Sequence, residues 1–176
     1  GGGNFIITAN VVNVSGGIFA EGGRAAADVS DHTSGNGGTI TINASTIYLN
    51  NNGEISVSSG YERVATTSFN GGDAGTINLN ATLVNISGTI NARGGTSDSN
   101  LCIASAGQRG DGGTIKINSI TAEVDTIDVS RGTIGFCNDG TGGIVIINSS
   151  GTLTVMDKIT SIGNVSGNIT LIAKEL

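Results

Sequence analysis

The stretch Gly38-Thr39-Ile40-Thr41-Ile42-Asn43 decides the fold of this 176-residue chain, because it recurs along the sequence. Its copies are Gly75-Thr76-Ile77-Asn78-Leu79-Asn80, Gly113-Thr114-Ile115-Lys116-Ile117-Asn118, the weaker Gly143-Ile144-Val145-Ile146-Ile147-Asn148, and degenerate versions that begin at Gly3 and Gly167. Successive copies are offset by 35, 37, 38, 30 and 24 residues at their first apolar position. Repeats of this kind are typical of solenoids, in which each unit buries its apolar face only against its neighbours.

Within each repeat, apolar and polar residues alternate in three short segments, which is the two-residue period of a half-buried β-strand. The inward pairs are Ile40/Ile42, Ile47/Leu49 and Ile55/Val57 in the second repeat; Phe5/Ile7, Val12/Val14 and Ile18/Ala20 in the first; Ile77/Leu79, Val84/Ile86 and Ile90/Ala92 in the third; and Ile115/Ile117, Ala122/Val124 and Ile127/Val129 in the fourth. The fifth repeat has Val145/Ile147 and Leu153/Val155, loosens around Ile159 and Ile162, and is followed by a last strand whose apolar positions begin at Ile169. The pattern predicts an all-β fold.

Three strands per repeat predict a three-sided parallel β-solenoid of about five coils. We expect residues 1–176 to form a single solenoid domain that is a segment of, or a subunit in, a larger assembly. Parallel crossovers are almost always right-handed, so a right-handed β-helix is expected.

Composition agrees with this fold and excludes several others. The chain has 30 Gly, no Pro and only 3% aromatic residues, which suits a narrow aliphatic core and excludes collagen. The net charge of −6 and the absence of a Lys/Arg cluster argue against nucleic acid as a partner. No apolar run approaches the roughly 18 residues that cross a bilayer, so membrane insertion is not expected.

In four successive coils, the position at the end of the first strand is asparagine. These residues are Asn43, Asn80, Asn118 and Asn148. Asn tolerates the turn backbone and can hydrogen-bond along a stack. We interpret the four as a structural ladder.

The third corner of the coil carries long insertions. They span Gly22–Asn36, Ser58–Asp73, Arg93–Asp111 and Ser130–Thr141. Because all four leave from the same corner, we expect these loops to gather along one edge of the rod. They contain five of the eight basic residues and both cysteines, so this edge is the first place to look for a ligand.

The repeat resembles those of filamentous-haemagglutinin-type proteins, which are large secreted bacterial proteins that include two-partner-secretion adhesins. The resemblance is carried by Gly35-Asn36-Gly37-Gly38-Thr39-Ile40-Thr41-Ile42-Asn43-Ala44 and by the turn and strand at Asn52–Ser58. It implies an elongated adhesive or structural protein at the cell surface or outside the cell, without an active site or cofactor. This chain departs from the family in lacking the Asn-Pro motifs of its secretion domain and in having two cysteines.

The two cysteines, Cys102 and Cys137, lie in the insertions of adjacent coils. A disulfide between them is expected and suits an oxidising compartment, and two free thiols are the alternative. His32 is the only histidine, and a Ser-His-Asp triad is therefore not indicated.

Asp73 and Asp111 both precede a first strand and should be neighbours in the stack. A Ca²⁺ ion held between them is one hypothesis, and turn-capping carboxylates are the plainer one. Glu123, Asp125 and Asp128 cluster near the second corner of the fourth coil. Polysaccharide-cleaving β-helices use acidic clusters, but these acids do not converge with a Lys or Arg at strand spacing, so no catalytic residue is assigned.

Several Asn-x-Ser/Thr sequons occur, and a glycan on a ladder asparagine would disrupt stacking. The acceptors that remain for a glycosylating host are Asn13, Asn85 and Asn164.

The leading functional hypothesis is a non-enzymatic structural or adhesive β-solenoid of a cell-surface or secreted fibre, with a carbohydrate or a cell-surface receptor as partner. One alternative is a polysaccharide-binding or polysaccharide-cleaving β-helix. Another is a self-assembling filament subunit that stacks end to end, because neither terminal coil shows a polar cap.

Overall fold

A computed structural model describes residues 1–23, 32–60, 69–96, 109–132 and 140–175. The strands are β1 Asn4–Val14, β2 Gly17–Phe19, β3 His32–Thr33, β4 Thr39–Leu49, β5 Glu54–Ser56, β6 Phe69–Asn70, β7 Thr76–Asn80, β8 Leu83–Asn91, β9 Thr114–Ser119, β10 Thr121–Asp128, β11 Ile144–Thr160 and β12 Asn168–Glu175. All strand pairs are parallel, and every pair joins residues about one repeat apart. No helix long and apolar enough to cross a membrane occurs among these residues.

The strands form a three-sided β-solenoid, as the alternation predicts. The first face stacks β1, β4, β7, β9, β11 and β12 in that order. The long strands β1, β4 and β11 continue around the first corner, so the second face pairs them with β8 and β10. The third face stacks β2, β5, the end of β8, the end of β10 and the end of β11. The coils are therefore less regular than five equal turns, since one face has six strands and the others have five.

The register places like side chains directly above one another. On the third face, Ile18, Ile55, Ile90, Ile127 and Ile159 form one column. On the first face, the column is Phe5, Ile40, Ile77, Ile115, Val145 and Ile169. Strands about 4.8 Å apart bring each side chain into contact with those above and below. Close packing in these columns is the core of the molecule.

In the described part of the chain, all 24 buried hydrophobic residues occupy positions that the alternation assigns to the interior. The exceptions among the assigned positions all lie in the terminal coils or the last strand. These are Phe5, Ile7, Ile18, Val155, Ile159, Ile162, Ile169 and Leu171, which are partly or largely exposed. Ile7, Ile18 and Ile159 are partly buried and pack against the core, whereas assigning the other five to a buried core was wrong. Those that pair in register continue the interior columns, but they have a neighbouring coil on one side only.

Close backbone approach explains a glycine at the corner before the first strand. A Cβ atom on Gly37 would overlap the carbonyl oxygen of Val57. Gly37 also donates its N–H to Asp73 O at 2.9 Å, and Gly75 donates to Val57 O at 2.8 Å. Only a residue without a side chain lets adjacent coils meet at this corner.

Candidate functional site at the insertion edge

The bases of the four insertions lie against one another along one edge of the rod. We define this insertion edge as residues 20–23, 34–37, 57–60, 70–75, 92–96, 109–113, 129–132 and 140–143. The outgoing and returning limbs of each insertion are described only near the solenoid, because residues 24–31, 61–68, 97–108 and 133–139 lie outside the described part of the chain. The bases of the insertions lie at one corner of the coil, as the sequence predicts.

Backbone hydrogen bonds connect these bases in series. The two ends of the first insertion are joined directly, since Gly35 donates its N–H to Gly23 O at 2.8 Å. The second insertion begins against the end of the first, with Gly60 N–H donating to Gly35 O at 3.1 Å. Further along the edge, Gly110 N–H donates to Gly95 O at 3.0 Å, which closes the base of the third insertion. The first and third insertions thus start and end at adjacent points, so they leave the path of the coil unchanged.

Glycine is required where these bases interlock. A Cβ atom on Gly110 would overlap the carbonyl oxygen of Gly72, which belongs to the preceding insertion. In contrast, a Cβ atom on Gly23 would meet nothing within 4 Å. The glycine-rich bases are therefore explained by backbone packing at particular positions, which sequence reasoning treated only as turn composition.

The returning limbs of the first two insertions form a small sheet of their own. β3 pairs with β6 in parallel, with His32 opposite Phe69 and Thr33 opposite Asn70. This pairing extends the stacking of coils outward into the insertions. The insertion edge therefore includes parallel strand pairing outside the wall of the solenoid.

Serine side chains tie successive bases together, and the sequence analysis missed them. Ser34 Oγ accepts from Gly72 N–H at 2.7 Å, and Ser34 is buried. Ser58 Oγ accepts from Arg93 N–H at 3.2 Å, and Ser130 Oγ accepts from Ile162 N–H at 3.1 Å. The sequence does contain a pattern that could have identified two of them, because Ser58 and Ser130 each follow the last inward valine of their coil.

Charges along the described insertion edge are balanced. The basic residues are Arg93, Arg109 and Arg131, and the acidic residues are Glu21, Asp73 and Asp111. Arg93 Nε lies 3.3 Å from Asp128 Oδ2 of the next coil, and the two side chains are 36% and 26% exposed. An ion pair this exposed contributes little to stability. The described part of the edge is therefore not a net positive surface.

The acids proposed for calcium serve as backbone acceptors. Asp73 Oδ1 accepts from Asp111 N–H at 2.9 Å, and Asp111 Oδ1 accepts from Thr141 N–H at 2.6 Å. Asn36 Oδ1 holds the same place one coil earlier and accepts from Asp73 N–H at 3.0 Å. In the described residues, no three His, Cys, Asp or Glu side chains are grouped as metal ligands would be. The geometry favours turn capping for both aspartates, and a calcium ion stays a hypothesis.

The other acidic cluster is divided between two faces. Glu123 is in register with Asn85 and Thr154 on the second face, whereas Asp128 is in register with Asn91 and Thr160 on the third. Asp128 is also engaged by Arg93 and by Ser130 N–H. The register shifts at Asp125, which lies at the corner between the two faces. The register therefore places Glu123 and Asp128 on different faces of the solenoid.

The asparagine ladder runs down the end of the first face. Asn80 Nδ2 donates to Asn43 Oδ1 at 2.9 Å, and Asn118 Nδ2 donates to Asn80 Oδ1 at 2.9 Å. Asn148 continues the same register below Asn118. Asn43, Asn80 and Asn118 thus form a structural ladder of side-chain hydrogen bonds.

The remaining site predictions are placed as follows. Asn13 and Asn164 are exposed and Asn85 is half-buried, so the first two are the more accessible glycan acceptors. Cys102 and Cys137 lie outside the described residues, and their disulfide stays a prediction.

Comparison with known proteins identifies no relative. No family model matches the chain, and neither the curated proteins nor the solved structures contain a match. The filamentous-haemagglutinin-type resemblance therefore rests on the repeat alone.

Proposed function

We propose that this chain is a non-enzymatic scaffold of a cell-surface or secreted fibre, which presents its four insertions to a carbohydrate or a receptor. The observation that carries this proposal is the interlocked insertion edge. Four insertions start and end on one side of a regular rod, and their bases are fixed by backbone hydrogen bonds such as Gly60 N–H to Gly35 O at 3.1 Å. Variable segments on a rigid scaffold are the usual arrangement of binding proteins.

The balanced charge of the described edge bears on the type of partner. A polyanion would be expected to select an excess of Lys and Arg, whereas three basic and three acidic residues are described here. A neutral carbohydrate or a receptor surface of mixed charge fits better. The extracellular location and the adhesive role follow from the repeat resemblance and are part of the proposal.

The test replaces one insertion and leaves the rod intact. Residues 24–31 are exchanged for a short Gly/Ser linker, which the adjacent positions of Gly23 O and Gly35 N allow. Equivalent variants replace residues 61–68, 97–108 and 133–139. Labelled wild-type protein and variants are applied to an array of immobilised neutral glycans and to cultured cells. We expect binding to fall when at least one insertion is replaced.

The matched control lies outside the insertions, on the outer surface of the first face. Lys116→Ala alters an exposed residue on the first face, and it should bind like the wild type. Binding that survives every insertion replacement would contradict the proposal. Release of reducing or unsaturated ends from the arrayed polysaccharides would favour the polysaccharide-cleaving alternative instead.

A further inference from the structure

We propose that Asn52 is a site of spontaneous amide loss, at which the folded protein is converted to an aspartate or isoaspartate form. Asn52 precedes Gly53, and Asn-Gly pairs react readily because glycine leaves its backbone nitrogen unhindered. The chain contains three such pairs, which begin at Asn36, Asn52 and Asn70. The structure distinguishes among them, whatever the function of the rod.

The reaction needs only the protein and water. The backbone nitrogen of Gly53 attacks Cγ of Asn52, so an N–Cγ bond forms and the Cγ–Nδ2 bond breaks. The amide nitrogen leaves as ammonia and takes the proton that Gly53 loses. Water then opens the cyclic imide at either carbonyl carbon, which gives aspartate or isoaspartate. Each route replaces a neutral amide with a carboxylate, which is negatively charged at neutral pH.

Asn52 lies in an exposed turn between β4 and β5. At this corner, Leu49 is in register with Ile86 of the next coil, and Ile55 is in register with Ile90. The second coil therefore runs from residue 49 to residue 55 where the third runs from 86 to 90, and it is two residues longer here. The turn accommodates the additional residues without displacing the columns on either side.

A local hydrogen bond holds the nitrogen that reacts. Gly53 N–H donates to Asn50 O at 2.7 Å, within the same turn. The neighbouring bonds between coils use other atoms, since Asn50 N–H donates to Val14 O at 3.0 Å and Gly53 O accepts from Thr89 N–H at 3.1 Å. In the described part of the chain, Asn52 makes no hydrogen bond to another coil. Opening one bond inside the turn therefore releases the nitrogen without separating the coils.

The same pair at Asn36 is fixed between coils. Asn36 Oδ1 accepts from Asp73 N–H at 3.0 Å, and Gly37 N–H donates to Asp73 O at 2.9 Å. The Gly37 backbone is also closely packed, since a Cβ atom there would overlap Val57 O. Attack on Cγ of Asn36 requires that both hydrogen bonds to the next coil break. This asparagine should therefore be protected although it is exposed.

The third pair lies in the interlocked base of the second insertion. Asn70 is half-buried, and its carbonyl oxygen accepts from Ser34 N–H at 3.0 Å. A Cβ atom on Gly71 would overlap the carbonyl oxygen of Gly95, which belongs to the base of the third insertion. This peptide is thus held between neighbouring segments. Of the three pairs, the one at Asn52 is the least constrained by other coils.

Ageing of the folded protein at mildly alkaline pH tests the proposal. We expect anion-exchange chromatography to resolve a growing, more acidic species with unchanged thermal unfolding, and peptide mapping by mass spectrometry to place the change at Asn52. Asn52 should convert at least about tenfold faster than Asn36 or Asn70, because those residues must also break hydrogen bonds to other segments. The reference is the protein unfolded in urea, in which the three pairs should react at similar rates.

Two variants of the turn are matched. Asn52→Gln would have to close a larger ring, which forms more slowly, so it should give no acidic species over the same period. Asn51→Gln changes the neighbouring exposed residue but keeps the reactive pair, and it should convert like the wild type.

Two outcomes would overturn the proposal. Conversion of Asn36 or Asn70 as fast as that of Asn52 in the folded protein would mean that hydrogen bonds between coils give no protection. An Asn52 that converts in urea but stays intact in the folded protein would mean that the turn itself blocks the attack.

Discussion

The amide of Asn80 donates to Asn43 Oδ1 at 2.9 Å, across the gap between two coils that are 37 residues apart in sequence. Asn80 also accepts from Asn118 Nδ2 at 2.9 Å, so it is the centre of the ladder. A neighbour on the same side of β7, Asn78, makes only a long contact of 3.4 Å with Thr41 Oγ1. The two asparagines therefore differ in how strongly they connect coils.

We predict that Asn80→Ala lowers the free energy of unfolding by roughly 1–3 kcal/mol, because two hydrogen bonds are lost and their partners are left unpaired. Asn78→Ala should change it by about 0.5 kcal/mol or less. Urea unfolding of the two variants measures both values. Equal losses would mean that the ladder does not hold the coils together.

The loss of unfolding free energy on truncating an isoleucine should depend on how deeply that isoleucine is buried. Ile77 is fully buried between Ile40 and Ile115, whereas Ile169 in the last strand is 42% exposed. We expect Ile77→Ala to cost roughly 2–5 kcal/mol, including the cavity it leaves. Ile169→Ala should cost about 1 kcal/mol or less, since less surface leaves water at that end. Comparable costs in denaturant unfolding would argue against columns that end at the last strand.

Most of the core could be predicted from the sequence, because inward positions follow from a two-residue alternation that repeats. The burial of residues in the terminal strands could not be predicted. Alternation indicates that Phe5 or Ile169 faces inward, but not whether another coil covers it. The interlocked insertion bases were also missed. They depend on backbone contacts between distant segments, such as Gly60 with Gly35, and composition identifies only their turn-forming character.

At the insertion edge, Gly110→Ala should destabilise the protein by roughly 3 kcal/mol, because its Cβ atom would overlap the backbone of Gly72. Gly23→Ala is the matched control, with open space at the Cβ position, and should lie within about 0.5 kcal/mol of the wild type. Thermal unfolding distinguishes the two. A neutral Gly110→Ala would contradict the close approach of the insertion bases.

If Asp73 only accepts a backbone hydrogen bond, its negative charge should not be needed for stability. Asn36 performs the same task one coil earlier, so Asp73→Asn should keep its hydrogen bond and unfold like the wild type. Asp73→Ala should lose about 1 kcal/mol. If calcium raises the melting temperature of the wild type but not of Asp73→Asn, the calcium hypothesis is correct and the capping account is incomplete.

A disulfide between Cys102 and Cys137 predicts no titratable thiol in the native, non-reduced protein. Closing a loop of this length contributes roughly 3–4 kcal/mol in the chain-entropy model, so reduction should lower the unfolding free energy by about that amount. Thiol titration before and after reduction, together with urea unfolding, measures both. Two reactive thiols in the native protein would disprove the pairing and weaken the extracellular proposal.

The central claim is that equivalent residues of successive coils lie directly above one another. Methyl NMR on isoleucine-labelled protein tests it, because adjacent coils are about 4.8 Å apart and alternate coils about twice that distance. We predict NOEs from Ile77 to both Ile40 and Ile115, and none between Ile40 and Ile115. A direct NOE between Ile40 and Ile115, or the absence of both Ile77 contacts, would contradict the solenoid.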